Sequence, residues 1–212
     1  MDIKVINNIP SIKVTTNVLD NGAVSIFLTE NKDCGKFRLG DLKPGTIIKI
    51  GDFKYVVLHH SKETMAIFSL TSVGFNKFGE NADYKTSTVR SILLNKFQPS
   101  LEKAVGKKNL IPHTVSLVAE NGTNKGKTIS DKVSLITFEE FRRYQEFIPI
   151  IPHSYWTATM ASEKYLFICF ITPSKLIHKI SCEYHGEIHA YCILRSNVLV
   201  EKGEIDENYR AY

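Results

Sequence analysis

The chain has 212 residues, of which 43% are hydrophobic and 23% charged. Those proportions belong to a globular protein with a buried core and exclude collagen-like and intrinsically disordered chains. Lys and Arg (27) outnumber Asp and Glu (22), a net charge of +5 that admits an acidic or nucleic-acid partner without demanding one.

Residues 11–29 alternate between apolar and polar, as SIKVTTNVL and AVSIFL around Asp20-Asn21-Gly22. Asn-Gly suits the left-handed positions of a tight turn, so the spacing predicts a β-hairpin. This hairpin reads as an N-terminal extension over 1–36. After Asp41-Leu42-Lys43-Pro44-Gly45, runs at 46–50, 53–59 and 64–70 predict an antiparallel meander, turned at Gly51-Asp52 and Ser61-Lys62-Glu63.

A helix capped by Thr86 or Ser87 follows, with Val89, Ile92, Leu93 and Phe97 on one apolar face. A shorter helix is predicted over 100–105, ended by Gly106. Strands at 114–119 and 132–135 flank a polar loop, 120–128. Thr137-Phe138-Glu139-Glu140 is a capping box opening a helix to about Phe147, with Pro149 and Pro152 stopping it. From Trp156 onward the pattern is β again, with strands at 164–172, 176–182 and 189–200 and turns at Pro173-Ser174 and His185-Gly186. The polar tail, 203–212, is expected to be flexible. Strands at both ends with helices between them predict an α+β domain whose first and last strands can pair.

The N-terminus lacks a basic start followed by an apolar stretch, so no secretory signal is expected. No apolar run approaches the ~20 residues of a membrane span. Cys34, Cys169, Cys182 and Cys192 form no C-x-x-C pair, and free thiols point to a reducing cytosol.

Cys182, His185, His189 and Cys192 offer two thiolates and two imidazoles, a donor set zinc accepts. Their order matches no standard zinc pattern, and strand residues around a surface turn are the plainer reading. The stretch Gly122–Thr128 looks like a phosphate loop but has only three residues between its glycines, where a P-loop has four. His59-His60 are adjacent on a strand and face opposite ways. Glu139 and Glu140 suit a helix start. Arg90 and Arg195 sit within apolar segments and read as internal organisers that bond carbonyls or a carboxylate. Trp156, with Tyr155 and Tyr165, reads either as core or as an aromatic contact surface. Lys103, Lys107, Lys108, Lys125, Lys127, Arg142 and Arg143 are scattered, without the interleaved aromatics of a single-strand binder.

The running pattern LKPGTIIKIGDFKYVVL (42–58), FGENADYKTSTVRSILLNKF (78–97), NLIPHTVSLVAENG (109–122), DKVSLITFEEFRRY (131–144), YWTAT (155–159) and CILRSNVLV (192–200) resembles a family of uncharacterised bacterial and phage-borne domains. That family has a C-type-lectin-like fold, shared with formylglycine-generating enzymes and with variable proteins of diversity-generating retroelements. The resemblance covers roughly Phe37–Val200. Leu194-Arg195-Ser196 departs from the usual ending in lacking its proline, and Tyr155-Trp156 stands where a Trp pair is common.

The resemblance implies a C-type-lectin-like domain over 37–202, with antiparallel sheets and two main helices behind the hairpin extension. The copper-binding cysteine pair of the formylglycine-generating enzymes has no counterpart among Cys169, Cys182 and Cys192, so neither a catalytic residue nor a cofactor carries over. In the retroelement proteins the last third of the fold binds other molecules. By position this puts a binding surface over about 155–192, with Tyr155, Trp156, Lys164, Tyr165, Lys175, His178, Tyr184 and His185 as its residues. The expected function is therefore non-enzymatic protein binding, by a phage- or mobile-element-encoded protein in the cytoplasm of a bacterial host. Its partner would be a host or defence protein inhibited by occlusion. A homo-oligomer could form through the hairpin, and no membrane is expected. Two alternatives are a metal- or cysteine-dependent enzyme on the same scaffold and a nucleic-acid-binding accessory protein using Lys107, Lys108, Lys125 and Lys127.

Overall fold

The computed structural model describes residues 12–18, 24–30, 35–124, 126–162 and 166–204. Contacts divide the chain into two units, 1–36 and 37–212. In the first, β1 (Ile12–Val18) pairs antiparallel with β2 (Val24–Glu30), from Ile12 opposite Glu30 to Val18 opposite Val24. The Asp20-Asn21-Gly22 turn lies outside the described residues.

From Lys36 onward the chain runs through β3 (Lys36–Arg38), β4 (Ile47–Ile50), β5 (Phe53–His60), β6 (Thr64–Ser69) and β7 (Gly74–Lys77). The helices α1 (Thr88–Ile92) and α2 (Gln98–Val105) follow, then β8 (Leu110–Ile111), β9 (His113–Ser116), β10 (Thr128–Asp131) and β11 (Val133–Ser134). After α3 (Phe138–Tyr144) come β12 (Tyr155–Met160), β13 (Phe167–Ile171), β14 (Ile177–Ser181), β15 (His185–Ile188), β16 (Tyr191–Arg195) and β17 (Leu199–Lys202). This second unit is α+β. Eight strands form one sheet in the order β11-β16-β6-β5-β4-β17-β3, with β8 also on β16. Five form another, β14-β13-β12-β15-β7, in which only β12 and β15 run parallel. β9 and β10 make a separate ribbon.

The continuous apolar runs of the meander are explained by burial on both faces of the eight-stranded sheet. Met65 and Ile67 of β6 enter one apolar cluster, and Ala66 and Phe68, pointing the other way, enter a second. Val56 and Val57 of β5 divide in the same manner. The first cluster is completed by Val89, Leu93, Leu101 and Trp156, the second by Phe141, Tyr144, Ile148 and Tyr155.

Local signals place the helices. The Ser87 hydroxyl accepts the Arg90 N–H at 3.2 Å, as expected of a cap. The two predicted helices are joined by a π-helical stretch, Leu93–Phe97. Pro99, just beyond, has no N–H for Asn95 and its ring crowds that carbonyl, which explains a wider turn there. In α3 the Thr137 hydroxyl accepts the Glu140 N–H at 3.2 Å, and the Glu140 carboxylate accepts the Thr137 N–H at 2.8 Å.

Two expectations need correction. Residues 189–200 are not one strand, because His189 and Ala190 carry the chain from the five-stranded sheet to the eight-stranded one, and a turn separates β16 from β17. His185-Gly186 do not turn; they begin β15, and the turn comes earlier, where the Tyr184 N–H donates to the Ser181 carbonyl at 3.1 Å. Of the polar tail, residues 205–212 lie outside the described residues.

The ends of the second unit meet. β17 lies between β4 and β3. The Leu39 N–H donates to Val198 O and the Gly40 N–H to Ser196 O, both at 2.8 Å. A Cβ at Gly40 would stand 2.7 Å from that of Ser196, so this approach requires glycine.

Candidate binding surface

Two of the expected surface residues belong to the core. Trp156 is fully buried, 4.6 Å from the Phe170 ring and 5.5 Å from Phe78, and its indole N–H donates to Asn76 O at 3.0 Å. Tyr155 is buried between Phe68 and His189. Both are thereby withdrawn from any contact surface: their apolar area is worth more inside, and the indole N–H finds a partner there. Gly186 makes room for Trp156 and Phe170, since a Cβ would collide with Phe170 Cε2 and stand 2.8 Å from Cζ and 3.0 Å from Trp156 Nε1.

The remaining expected residues are dispersed. Lys164 and Tyr165 lie outside the described residues. Lys175 is half-buried in a left-handed conformation (φ 59°), and its ammonium donates to Gln145 O at 2.9 Å. Burial lowers its pKa. His178 is exposed on β14. Tyr184 (61% exposed) precedes His185, and the His185 ring stacks on Phe75 at 5.7 Å. Phe75 is itself 66% exposed. It escaped sequence reasoning because β7 is a four-residue strand with weak alternation, Gly-Phe-Asn-Lys.

Eight large apolar side chains are exposed among the described residues, and five of them, Phe75, Leu166, Phe167, Leu176 and Tyr184, border the five-stranded sheet. Leu166 also lines a cleft of about 800 Å³, with Asp83, Lys85, Asn124, Lys127 and Met160. The cleft draws on the segment before α1 and on the β9–β10 and β12–β13 connections, and its size suits a small ligand or a protruding side chain. Asn124, left-handed at φ 63°, donates from Nδ2 to Met160 Sδ at 3.4 Å. The glycines of the phosphate-loop-like stretch close two successive turns here, Gly122 N–H to Ala119 O and Lys127 N–H to Asn124 O. Lys125 lies outside the described residues.

The three cysteines among the described residues are buried. Cys169, Cys182 and Cys192 are free thiols, and burial raises all three, Cys169 to about 11. Thiols so raised are not thiolates at neutral pH. Among the described residues no group of three or more His, Cys, Asp or Glu side chains is placed to hold a metal ion. His185 is exposed, whereas Cys182, His189 and Cys192 are buried.

One serine, histidine and acid constellation does assemble, unforeseen from spacing. His113 Nε2 lies 2.9 Å from Ser134 Oγ, and Asp131 sits opposite His113 in the β9–β10 register. It is not a catalytic triad. Both Asp131 oxygens accept from Arg90, at 2.7 and 2.8 Å, so the guanidinium takes the carboxylate. All three residues are buried, and burial pushes the imidazole down to about 4, so it is neutral. Arg90 thus does organise its surroundings, holding Asp131 and the Lys85 carbonyl. Arg195 donates to Lys108 O at 3.3 Å from an exposed position. His59 and His60 end β5 exposed, past a bulge, with His59 stacked 6.0 Å from Tyr144.

No family model, curated protein or solved structure matches the chain. Among the described residues no helix is long and apolar enough to cross a membrane. The fold and the surface together define a mixed α+β domain with an aromatic-rimmed sheet beside an open cleft.

Proposed function

We propose that this chain is a non-enzymatic protein-binding module that docks a partner on the rim of its five-stranded sheet. The observation that carries the reading is the exposed group Phe75, Tyr184 and His185, with Phe167 exposed on the same sheet and Leu166 just before its strand. Aromatic side chains left in water at a sheet margin are the kind that anchor interfaces. The burial of the three described thiols, and of Ser134 with His113, favours binding over chemistry.

The scaffold proposed is the C-type-lectin-like one of the bacterial and phage-borne family. Its support is the run of motifs over 37–200 together with the two-sheet α+β architecture. On that reading the protein is phage- or mobile-element-encoded, works in the cytoplasm of a bacterial host, and occludes a host or defence protein.

The test is a pull-down from bacterial lysate with tagged wild type and with a Phe75→Ala, Tyr184→Ala, His185→Ala variant. The expected result is one stoichiometric protein that survives moderate salt on the wild type and is absent from the folded variant. Equal retention by both would overturn the surface. About one bound zinc or copper per purified chain would overturn the non-enzymatic reading.

A further inference from the structure

We infer that His189 carries a proton on both ring nitrogens, and that this imidazolium fastens the five-stranded sheet to the eight-stranded sheet. His189 sits in the link between β15 and β16, where the chain passes from one sheet to the other. Its Nδ1 lies 2.8 Å from the Ser69 carbonyl on β6, and its Nε2 lies 2.9 Å from Glu187 Oε2 on β15. The carbonyl has no proton to give, and an ionised carboxylate has none either. A neutral imidazole carries a single N–H and can serve only one of the two. With both bonds made, the pair holds one proton beyond neutral histidine and carboxylate. Histidine is intrinsically the stronger base, so the proton belongs to the ring.

The surroundings fix the ring in place. It is 1% exposed, stacked 5.7 Å from Phe68 of β6 and edge-on 5.2 Å from Tyr155 of β12. The titratable groups facing it are Glu187 from β15 and Tyr155 from β12, whose phenol burial raises far above its ordinary value and keeps neutral. From β6 come the Ser69 carbonyl and the Phe68 ring, neither of which titrates. Ser69 is itself locked: its N–H donates to Ala190 O at 2.8 Å and its hydroxyl accepts the Ala190 N–H at 2.7 Å. The ring therefore joins a fixed point on one sheet to a carboxylate on the other.

Without the second ring proton, one of the two bonds is lost and the ring no longer joins Glu187 to the Ser69 carbonyl. The Ser69–Ala190 bonds still hold the crossing itself. β15 carries His185 and pairs with β7, where Phe75 sits, so the lost bond loosens the strand under the surface assigned to the partner, a consequence that rests on the binding reading.

The deciding experiment correlates ring protons with ring nitrogens in histidine-labelled protein at about pH 7, near the range where histidine charge changes. The His189→Gln variant identifies the signal, as one of the seven histidine ring patterns disappears. Two protonated nitrogens on His189 are expected in the wild type, and one in Glu187→Gln. A wild-type ring with one bare nitrogen at that pH would overturn the inference. Because wild type alone decides, a variant that folds poorly does not blunt the test. Should the partner surface at Phe75 prove wrong, the ring nitrogens still report on His189 independently.

Discussion

Strands β6 and β14 show how differently the two sheets are used. In β6, every residue from Met65 to Ser69 is buried, with alternate side chains serving the two apolar clusters. In β14, His178 and Lys179 are exposed and Ile177, Ile180 and Ser181 half-buried. The eight-stranded sheet is a partition between two cores, and its sequence is constrained on both faces. The five-stranded sheet is anchored on its inner side and leaves its margins to water. Burial is more complete in the first, and the surface proposed for a partner falls on the second.

Trp156→Ala should break this division most severely. The side chain belongs to β12 of the five-stranded sheet yet lies fully buried in the cluster that the eight-stranded sheet builds. Its loss should cost about 3–5 kcal/mol in denaturant unfolding, the usual range for a buried aromatic. A loss below about 1 kcal/mol would mean that the two sheets do not share a core.

The next effect comes from pH. Burial holds His113 neutral down to about 4, while in the unfolded chain it takes a proton near 6.5. The unfolded state therefore binds more protons between those values, and stability is lost as pH falls through that window. Full above it, the contribution amounts to up to about 3 kcal/mol. His113→Gln should flatten the acid limb of a stability–pH curve. The limb should persist unchanged if another group is responsible.

The smallest stability effect, and the sharpest contrast, is expected at the sheet margin. Phe75→Ala and Tyr184→Ala should each change unfolding free energy by less than about 0.5 kcal/mol, since both side chains are mostly in water. The same substitutions should abolish partner capture. A large loss of stability with binding intact would reverse the roles given to the two regions.

Much of the first region was legible because its signals are local. The capping box at Thr137 and Glu140, the cap at Ser87 and the apolar runs of β4, β5 and β6 depend on residues within a few positions of one another. The second region was harder to read. β7 is recognisable only by pairing with β15, which follows far later in the chain. The spacing of Cys182, His185, His189 and Cys192 suggests one cluster, but the crossing between sheets at 189–190 separates them. Arg90 was readable as an organiser, while its carboxylate on β10 was not, because a salt bridge across the fold leaves no periodic trace. Trp156 was ambiguous for a similar reason: periodicity assigns a face to a residue and does not say which face is wet.

The meeting of β3 with β17 has a further consequence, one of connectivity. The contacts Leu39 to Val198 and Gly40 to Ser196 run in opposite senses along the chain. The start of β3 and the end of β17 therefore lie at the same end of neighbouring strands. A segment with its doorway and exit side by side can be spliced into a surface loop of another protein without prying that loop apart. It can equally be rejoined end to end and opened elsewhere, so a circular permutant cut in the β9–β10 connection should keep the same strand order.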